Sequence, residues 1–194
     1  MIRDHDRSGW FGASDTATIM GSWETKTFRR WWAVKLGIRQ EHYTNAAMQA
    51  GTAYEHRILD ALGVKSRDRQ VRIHALRLRV NYDGDDAYTI TEVKTHSAAT
   101  FKVSRAYWMQ CQVEMLASGW GLPQRKACRI AAYRIGEAEK QNFFLPVDPG
   151  RITIWPVAYD EAWVETQYLP RLRYLAGCLK TGRWPRKEEV ACSR

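Results

Sequence analysis

The chain has 194 residues, which is enough for one domain with a sizeable core. Its 30 lysines and arginines against 21 acidic residues give a formal net charge of +9. That balance favours a polyanionic partner such as nucleic acid, although a generally basic surface would produce the same number. Nine tryptophans and nine tyrosines supply core area and could also stack on bases or bind a partner.

The cysteines and the apolar segments exclude several classes of protein. There is no C-x-x-C pair and no zinc-site spacing among Cys111, Cys128, Cys178 and Cys192. We therefore expect reduced thiols in a cytosol. No apolar run approaches the roughly 20 residues of a membrane span, and the first seven residues lack the apolar centre of a signal peptide.

Three helices are predicted in the first third of the chain, over residues 16–20, 25–36 and 45–62. Ser14 and Asp15 are favoured N-cap residues for the first of them, and Gly21 is a stop signal. Glu55 borders the apolar face of the third helix. A glutamate there is either solvated at the edge of the stripe or directed into a cleft as a carboxylate ligand.

The remaining pattern is that of a sheet with two further helices. Alternation predicts one broken strand or two strands over 69–82, and single strands over 88–95, 126–136, 141–147 and 152–157. Helices are predicted over 104–118 and 159–181, the latter bent at Pro170. Arg77 and Arg79 share a strand face with Asp83, so they could point toward a cleft or toward solvent, and we expect solvent. The order of these helices and strands predicts one α/β domain over 1–194, with an N-terminal arm at 1–13 and a frayed tail at 186–194.

An acidic turn followed by a strand carries the residues with the clearest chemistry, from Tyr82 to Lys94. Residues two apart on a strand share a face, so Glu92 and Lys94 point the same way. Asp83 lies nine positions before Glu92, and a hairpin or bent strand would bring the two carboxylates together. Converging carboxylates form an oxygen site for a hard cation such as Mg²⁺, and a nearby lysine could hold a water and a phosphate. These parts suit metal-dependent hydrolysis of a phosphodiester.

The same stretch has plainer interpretations. Asp-Gly between alternating residues is also a strong hairpin signal, and Glu92 with Lys94 is also compatible with a solvated ion pair. The turn contains two further aspartates, so Asp83 could be a turn residue and Asp85 the ligand.

Taken in order, five short motifs resemble the PD-(D/E)XK nuclease superfamily, and more narrowly the phage lambda exonuclease and YqaJ-type viral recombinase family. They are Gly12-Ala13-Ser14-Asp15, Gly51-Thr52-Ala53-Tyr54-Glu55, Asp83-Gly84, Glu92-Val93-Lys94, and Tyr107 with Gln110 and Gln112. The resemblance implies a restriction-endonuclease-like core, with a central mixed sheet flanked by helices. Thr95-His96 departs from the Cys-Pro that is common after the lysine, and the cysteines do not fit the iron–sulfur branch.

The resemblance also assigns roles to the matching positions. Asp83, Glu92, the Val93 carbonyl and Glu55 would bind Mg²⁺, with Mn²⁺ as a substitute and two ions per site. Lys94 would position or help deprotonate the attacking water, and Gln110 would lie close to that water and to the lysine. Ser14 and Arg7 would receive a terminal 5′-phosphate.

As an activity, the resemblance implies 5′→3′ digestion of one strand from 5′-phosphorylated ends of duplex DNA, in a bacterial or phage-infected cytoplasm. It further implies a ring-shaped homotrimer, a single-strand annealing partner for phage-type recombination, and no membrane. The alternatives are another nuclease on the same core, such as an endonuclease or repair enzyme, and an inactive basic DNA-binding phage protein.

Overall fold

A five-stranded mixed sheet forms the centre of the computed structural model, which describes residues 8–40, 46–142 and 144–186. Its strands are β1 (Ser66–Ile73), β2 (Leu78–Asp85), β3 (Thr89–His96), β4 (Ala127–Arg134) and β5 (Ile152–Val157). They lie in chain order, and only β3 and β4 are parallel. The predicted mixed sheet is therefore confirmed. The alternation over 69–82 corresponds to two strands, β1 and β2, and not to one broken strand.

Helices cover both faces of the sheet. They are α1 (Thr16–Met20), α2 (Lys26–Lys35), α3 (Ala46–Ala61), α4 (Arg105–Gly119), α5 (Glu137–Gln141), α6 (Glu161–Trp163) and α7 (Leu169–Lys180). Tyr54, Ile58 and Leu59 of α3 pack on one face against Val93 and Tyr133. The larger core lies on the other face, where α4 packs together with α1, α2 and α7. Over the described residues, no helix has the length and apolar content needed to cross a membrane.

Side-chain caps explain why two helices begin where the sequence predicted. The Thr25 hydroxyl accepts a hydrogen bond of 3.1 Å from the Phe28 N–H at the start of α2. The Ser104 hydroxyl does the same for the Tyr107 N–H, at 3.2 Å, at the start of α4. Each cap satisfies one of the N–H groups that a first turn leaves without a partner.

The last predicted helix is present, but its irregularity precedes the proline. A π-helical turn, Val164–Tyr168, separates α6 from α7, and the Leu169 N–H donates to the Val164 carbonyl five residues back. Pro170 follows in the first turn of α7. Because proline has no N–H to donate, the regular helical hydrogen-bond pattern is interrupted at this point, and the wider π-helical turn lies directly before it.

The strand predicted over 141–147 is wrong. Residues 137–141 form α5, and the described residues from there to 147 form no strand. The Glu139 carboxylate accepts a hydrogen bond from the Gly136 N–H, at 2.6 Å, and another from the Tyr133 hydroxyl, at 2.5 Å. Phe144 remains 87% exposed, so the apolar composition of this stretch does not indicate a buried strand.

Gly84 allows the strand with the acidic turn to pack closely under α3. A Cβ placed there would lie 2.7 Å from a Leu59 methyl and 2.8 Å from a Val64 methyl, and both side chains are buried. Contacts that short do not occur without displacement of the neighbours. The residue beside Asp83 is therefore restricted to glycine by packing rather than by its backbone angles.

We expect Gly84→Ala to lower the free energy of unfolding by about 1–3 kcal/mol, because the added methyl overpacks a filled core. Urea denaturation followed by circular dichroism measures the change. Gly177→Ala in α7 is the matched control, since a Cβ there meets nothing within 4 Å. The control should be neutral or stabilising, as alanine favours helices over glycine. Equal stability of Gly84→Ala and the wild type would contradict the packing argument.

Candidate active site

The site lies at a fork in the sheet, where β2 and β3 separate. These strands pair only where Gly84 and Asp85 face Thr91 and Ile90. Immediately beyond that pairing, Asp83 Oδ2 accepts a hydrogen bond of 2.8 Å from the Val93 N–H. The carboxylate thus takes the place of a backbone acceptor across the fork, which holds Asp83 beside the Glu92–Lys94 stretch of β3.

Glu92, Lys94 and Gln110 form a closed network inside the fork. Lys94 Nζ contacts Glu92 Oε1 and donates to Gln110 Oε1 at 3.2 Å. Gln110 Nε2 donates to Glu92 Oε1 at 2.7 Å. The amide of Gln110 therefore has one orientation, with its NH₂ toward the carboxylate and its oxygen toward the ammonium group.

Three carboxylates share this space and repel one another. Burial raises the pKa of Asp83 well above its usual range, and the charges of Glu92 and Glu55 raise it further. Burial and Glu92 likewise raise the pKa of Glu55, which extends from α3. Burial alone would lower the pKa of Lys94, but the charge and hydrogen bond of Glu92 reverse that effect and raise it. Lys94 is consequently an ammonium group at neutral pH.

A hard cation fits this set of donors. Glu92 Oε2 is buried and lacks a hydrogen-bond partner among the described residues, so one carboxylate oxygen remains available for a ligand. A cation held by that oxygen together with Asp83 and Glu55 would relieve the repulsion that raises their pKa values.

Glu114 belongs to the site and was missed by the sequence reasoning. Its side chain is fully buried, and Glu114 Oε1 accepts a hydrogen bond of 2.9 Å from Gln110 Nε2. Burial, followed by the charge of Glu92, raises the pKa of Glu114 well above its usual range. The sequence feature that could have identified Glu114 is its position four residues after Gln110, which places both side chains on one helix face.

Asp85 has a different environment from Asp83. Its carboxylate accepts from Ser66 at 2.7 Å and is paired with Arg69 at 2.7 Å and Lys126 at 2.6 Å. Burial alone would raise the pKa of Asp85, but the hydrogen bonds from Lys126 and Ser66 lower it. Asp85 therefore joins strand β1 to the segment before β4, and Asp83 is the aspartate that faces Glu92.

A cleft of about 190 Å³ leads away from the carboxylates, between β2 and the turn before α1. Asp83 and Gln110 line it together with Ser14, Lys35 and Arg79. Backbone hydrogen bonds of Phe11 with Arg77 and Arg79, at 2.7 and 2.8 Å, hold the turn against the strand.

Arg79 corrects the expectation that it points to solvent. Its side chain is 8% exposed and lines the cleft on the same strand face as Asp83. Arg77 precedes β2 in a left-handed conformation, with φ of 50°, and lies over the Trp10 ring at 5.9 Å. Strand alternation correctly placed Arg79 on the same face as Asp83. The packing of the turn around Phe11 then shields the Arg79 side chain from bulk water.

The structure thus gathers Asp83, Glu92, Lys94, Gln110 and Glu55 at one fork. Ser14 is exposed and lines the adjoining cleft. Arg7 lies outside the described residues.

The fold as a whole is similar to two solved structures. An alkaline exonuclease from Laribacter hongkongensis has a TM-score of 0.62, with 22% identity over 97% of this chain and 96% of its own. A protein assigned as an exonuclease from Eubacterium rectale has a TM-score of 0.61, with 12% identity over 100% and 92% of the two chains. No protein-family model and no curated protein matches the chain. At these identities the likeness establishes the fold, and it agrees with the resemblance that the motif order indicated.

Asp83→Asn should weaken Mn²⁺ binding by at least about tenfold, because the change removes a charged oxygen that a hard cation needs. Asp85→Asn is the matched control on the same strand face. It should retain Mn²⁺ affinity and instead lower the free energy of unfolding by about 1–3 kcal/mol, through loss of charged hydrogen bonds.

Titration calorimetry and urea denaturation separate the two aspartates. Wild-type affinity in Asp83→Asn, or loss of affinity in Asp85→Asn with unchanged stability, would mean that the ligand in the acidic turn has been assigned to the wrong residue.

Proposed function

We propose that this chain is a divalent-metal-dependent exonuclease that digests one strand of duplex DNA from its 5′ end. The observation that carries the proposal is the convergence of Asp83, Glu92 and Lys94 at the fork, with one buried Glu92 oxygen that has no hydrogen-bond partner among the described residues. Both structures of similar fold are described as exonucleases, and we extend that activity to this chain. The net charge of +9 suits a DNA substrate.

Asp83, Glu92, Glu55 and the Val93 carbonyl would hold one or two Mg²⁺ or Mn²⁺ ions. A bound cation of this kind lowers the pKa of a water and offsets the charge that develops on the scissile phosphate and the leaving oxygen. The raised pKa values of Asp83 and Glu55 support this assignment, since both carboxylates gain from a nearby positive charge.

Lys94 acts as a positioning ammonium group in this proposal. The charge and hydrogen bond of Glu92 raise its pKa, so without a bound metal it is an ammonium group that can donate hydrogen bonds to the attacking water. Gln110 fixes the lysine through its amide oxygen, at 3.2 Å, and is itself fixed by Glu92 and Glu114. An ammonium group held by several partners orients a water and a phosphate oxygen at little entropic cost.

The cleft beside the fork supports a direction of entry. Ser14 contributes a hydroxyl to its lining, and Arg79 adds a guanidinium that can contact two phosphate oxygens. We propose that these groups, with Arg7, hold a terminal 5′-phosphate while the next phosphodiester lies at Glu92. Digestion would then leave a 3′ single strand for an annealing protein, and a ring of three copies would enclose the duplex.

Lys94→Ala should reduce the cleavage rate of linear duplex DNA by roughly 10²–10⁴-fold, because it removes the group that positions the reacting water. DNA affinity, measured by fluorescence anisotropy in EDTA, should remain within about twofold. The assay compares end-labelled linear duplex with covalently closed circles, in Mg²⁺ or Mn²⁺ and in EDTA. Lys180→Ala, an exposed lysine at the end of α7, is the control.

Wild-type turnover by Lys94→Ala would remove the nuclease assignment from this site. Cleavage of closed circles at the rate of linear DNA would identify an endonuclease instead. Absence of cleavage in either metal, with DNA binding retained, would favour the inactive DNA-binding protein.

The wild type should digest 5′-phosphorylated duplex ends faster than 5′-hydroxyl ends. Ser14→Ala and Arg7→Ala should each remove most of that difference by slowing the phosphorylated substrate, because a phosphate held by charged and hydroxyl donors fixes the strand over the metal site. Initial rates on both ends, for all three proteins, measure the effect.

Arg79→Lys is a further comparison, since lysine keeps the positive charge but lacks the planar guanidinium group with its paired N–H donors. Equal slowing of both substrates by Ser14→Ala and Arg7→Ala would show that these residues only contribute to general DNA affinity.

A further inference from the structure

A row of aromatic rings leads from the catalytic lysine to the edge of the sheet. Lys94 Nζ lies 5.0 Å from the centre of the Tyr107 ring. Tyr107 stacks on Phe101 at 6.1 Å between centroids, with 7° between planes, and Phe101 contacts Trp155 at 6.0 Å. We call Tyr107, Phe101 and Trp155 the aromatic row.

The sheet register explains why Trp155 belongs to the same surface as the active site. Glu92 is aligned with Ile130 of β4, which is aligned with Trp155 of β5. Because adjacent strands carry aligned side chains on one face, Trp155 projects on the face of Glu92, roughly 10 Å away across two strand spacings. β5 is an edge strand of the five-stranded sheet, so the aromatic row ends at the edge of that sheet.

The aromatic row is accessible to a ligand. Trp155 is 39% exposed, and Phe101 and Tyr107 are half-buried. Phe101 lies in the loop between β3 and α4, whose residues 97–100 are all exposed. A flat ligand could therefore reach the rings from solvent without displacing a strand or a helix.

The charge around the row favours an anionic ligand. There is no acidic residue from Thr95 to Val113, whereas Lys102 directly follows Phe101 and Arg105 lies two residues before Tyr107. Accessible aromatic rings beside positive charges are typical of surfaces that bind single-stranded nucleic acid, where bases stack on the rings and phosphates contact the cations. Bases inside a duplex cannot use such rings, because both of their faces already stack on neighbouring bases.

We propose that the aromatic row binds unpaired bases at the 5′ end of the strand being cut, beside the scissile phosphate. The inference rests on the proposed nuclease function and extends it to a second class of contact, with bases rather than phosphates. It predicts that the protein holds a frayed or unpaired 5′ end more tightly than a fully paired one.

The test measures binding in EDTA, so it does not depend on cleavage. Fluorescence anisotropy gives the dissociation constants for three labelled DNAs: a blunt duplex, the same duplex with five unpaired 5′ nucleotides, and that extension built from abasic residues. Trp155→Ala should weaken binding of the base-containing extension roughly 5- to 100-fold, which corresponds to the loss of base–ring stacking. Its affinity for the blunt and abasic DNAs should stay within about twofold of the wild type.

Two further variants show whether the ring itself is responsible. Trp155→Phe should restore most of the affinity for the extension, because it keeps a flat aromatic face. Trp120→Ala is the matched control, since Trp120 has the same exposure of 39% but follows the opposite end of α4 from Tyr107. It should leave all three dissociation constants unchanged.

Equal loss of affinity by Trp155→Ala on the abasic and base-containing extensions would overturn the proposal. A changed sedimentation coefficient for Trp155→Ala would overturn it as well, by showing that the row is a contact between copies of the chain. Failure of the nuclease proposal gives a different result, namely no cleavage in Mg²⁺ or Mn²⁺ while the base-dependent effect of Trp155→Ala persists.

Discussion

The site depends on one constraint, the gathering of carboxylates at a fork in the central sheet. β2 and β3 stop pairing where Asp83 and Glu92 meet, and a carboxylate closes the gap that backbone hydrogen bonds would otherwise fill. Withdrawal from water and mutual repulsion raise the pKa values of Asp83 and Glu55. A folded chain tolerates this where protons, an ammonium group or a bound cation offset the charge. Lys94 supplies one such positive charge. Glu92 Oε2, which has no hydrogen-bond partner among the described residues, could bind a cation that supplies a second.

Helix α4 connects the fork to the rest of the molecule. Gln110 and Glu114 lie one turn apart and face the carboxylates. Gln112, between them, is also fully buried, and its amide donates to the Ala158 carbonyl and accepts from the Asp160 N–H. A buried amide has both partners only when the two segments keep their positions. The same helix therefore fixes the orientation of the network formed by Glu92, Lys94 and Gln110 and the start of the C-terminal helices.

Much of the architecture could be predicted because its signals are local. Thr25 and Ser104 cap their helices through N–H groups three residues ahead, and the strand with Glu92 alternates as a strand should. The strand predicted over 141–147 is wrong, because the long-range contacts of the residues just before it cannot be read from the local sequence. The fold around that stretch is set instead by Glu139, which binds both Tyr133 and Arg151.

The sequence by itself determined that Glu92 and Lys94 share a strand face and that Gln110 lies on a capped helix, since strand alternation and helix capping act over a few residues. Only the tertiary structure decided which aspartate faces Glu92, because the Lys126 that pairs with Asp85 is 41 residues away along the chain. It also decided that Arg79 lines a cleft rather than meeting solvent. Burial and long-range charge partners follow from which elements pack together, and local residue spacing does not contain that information.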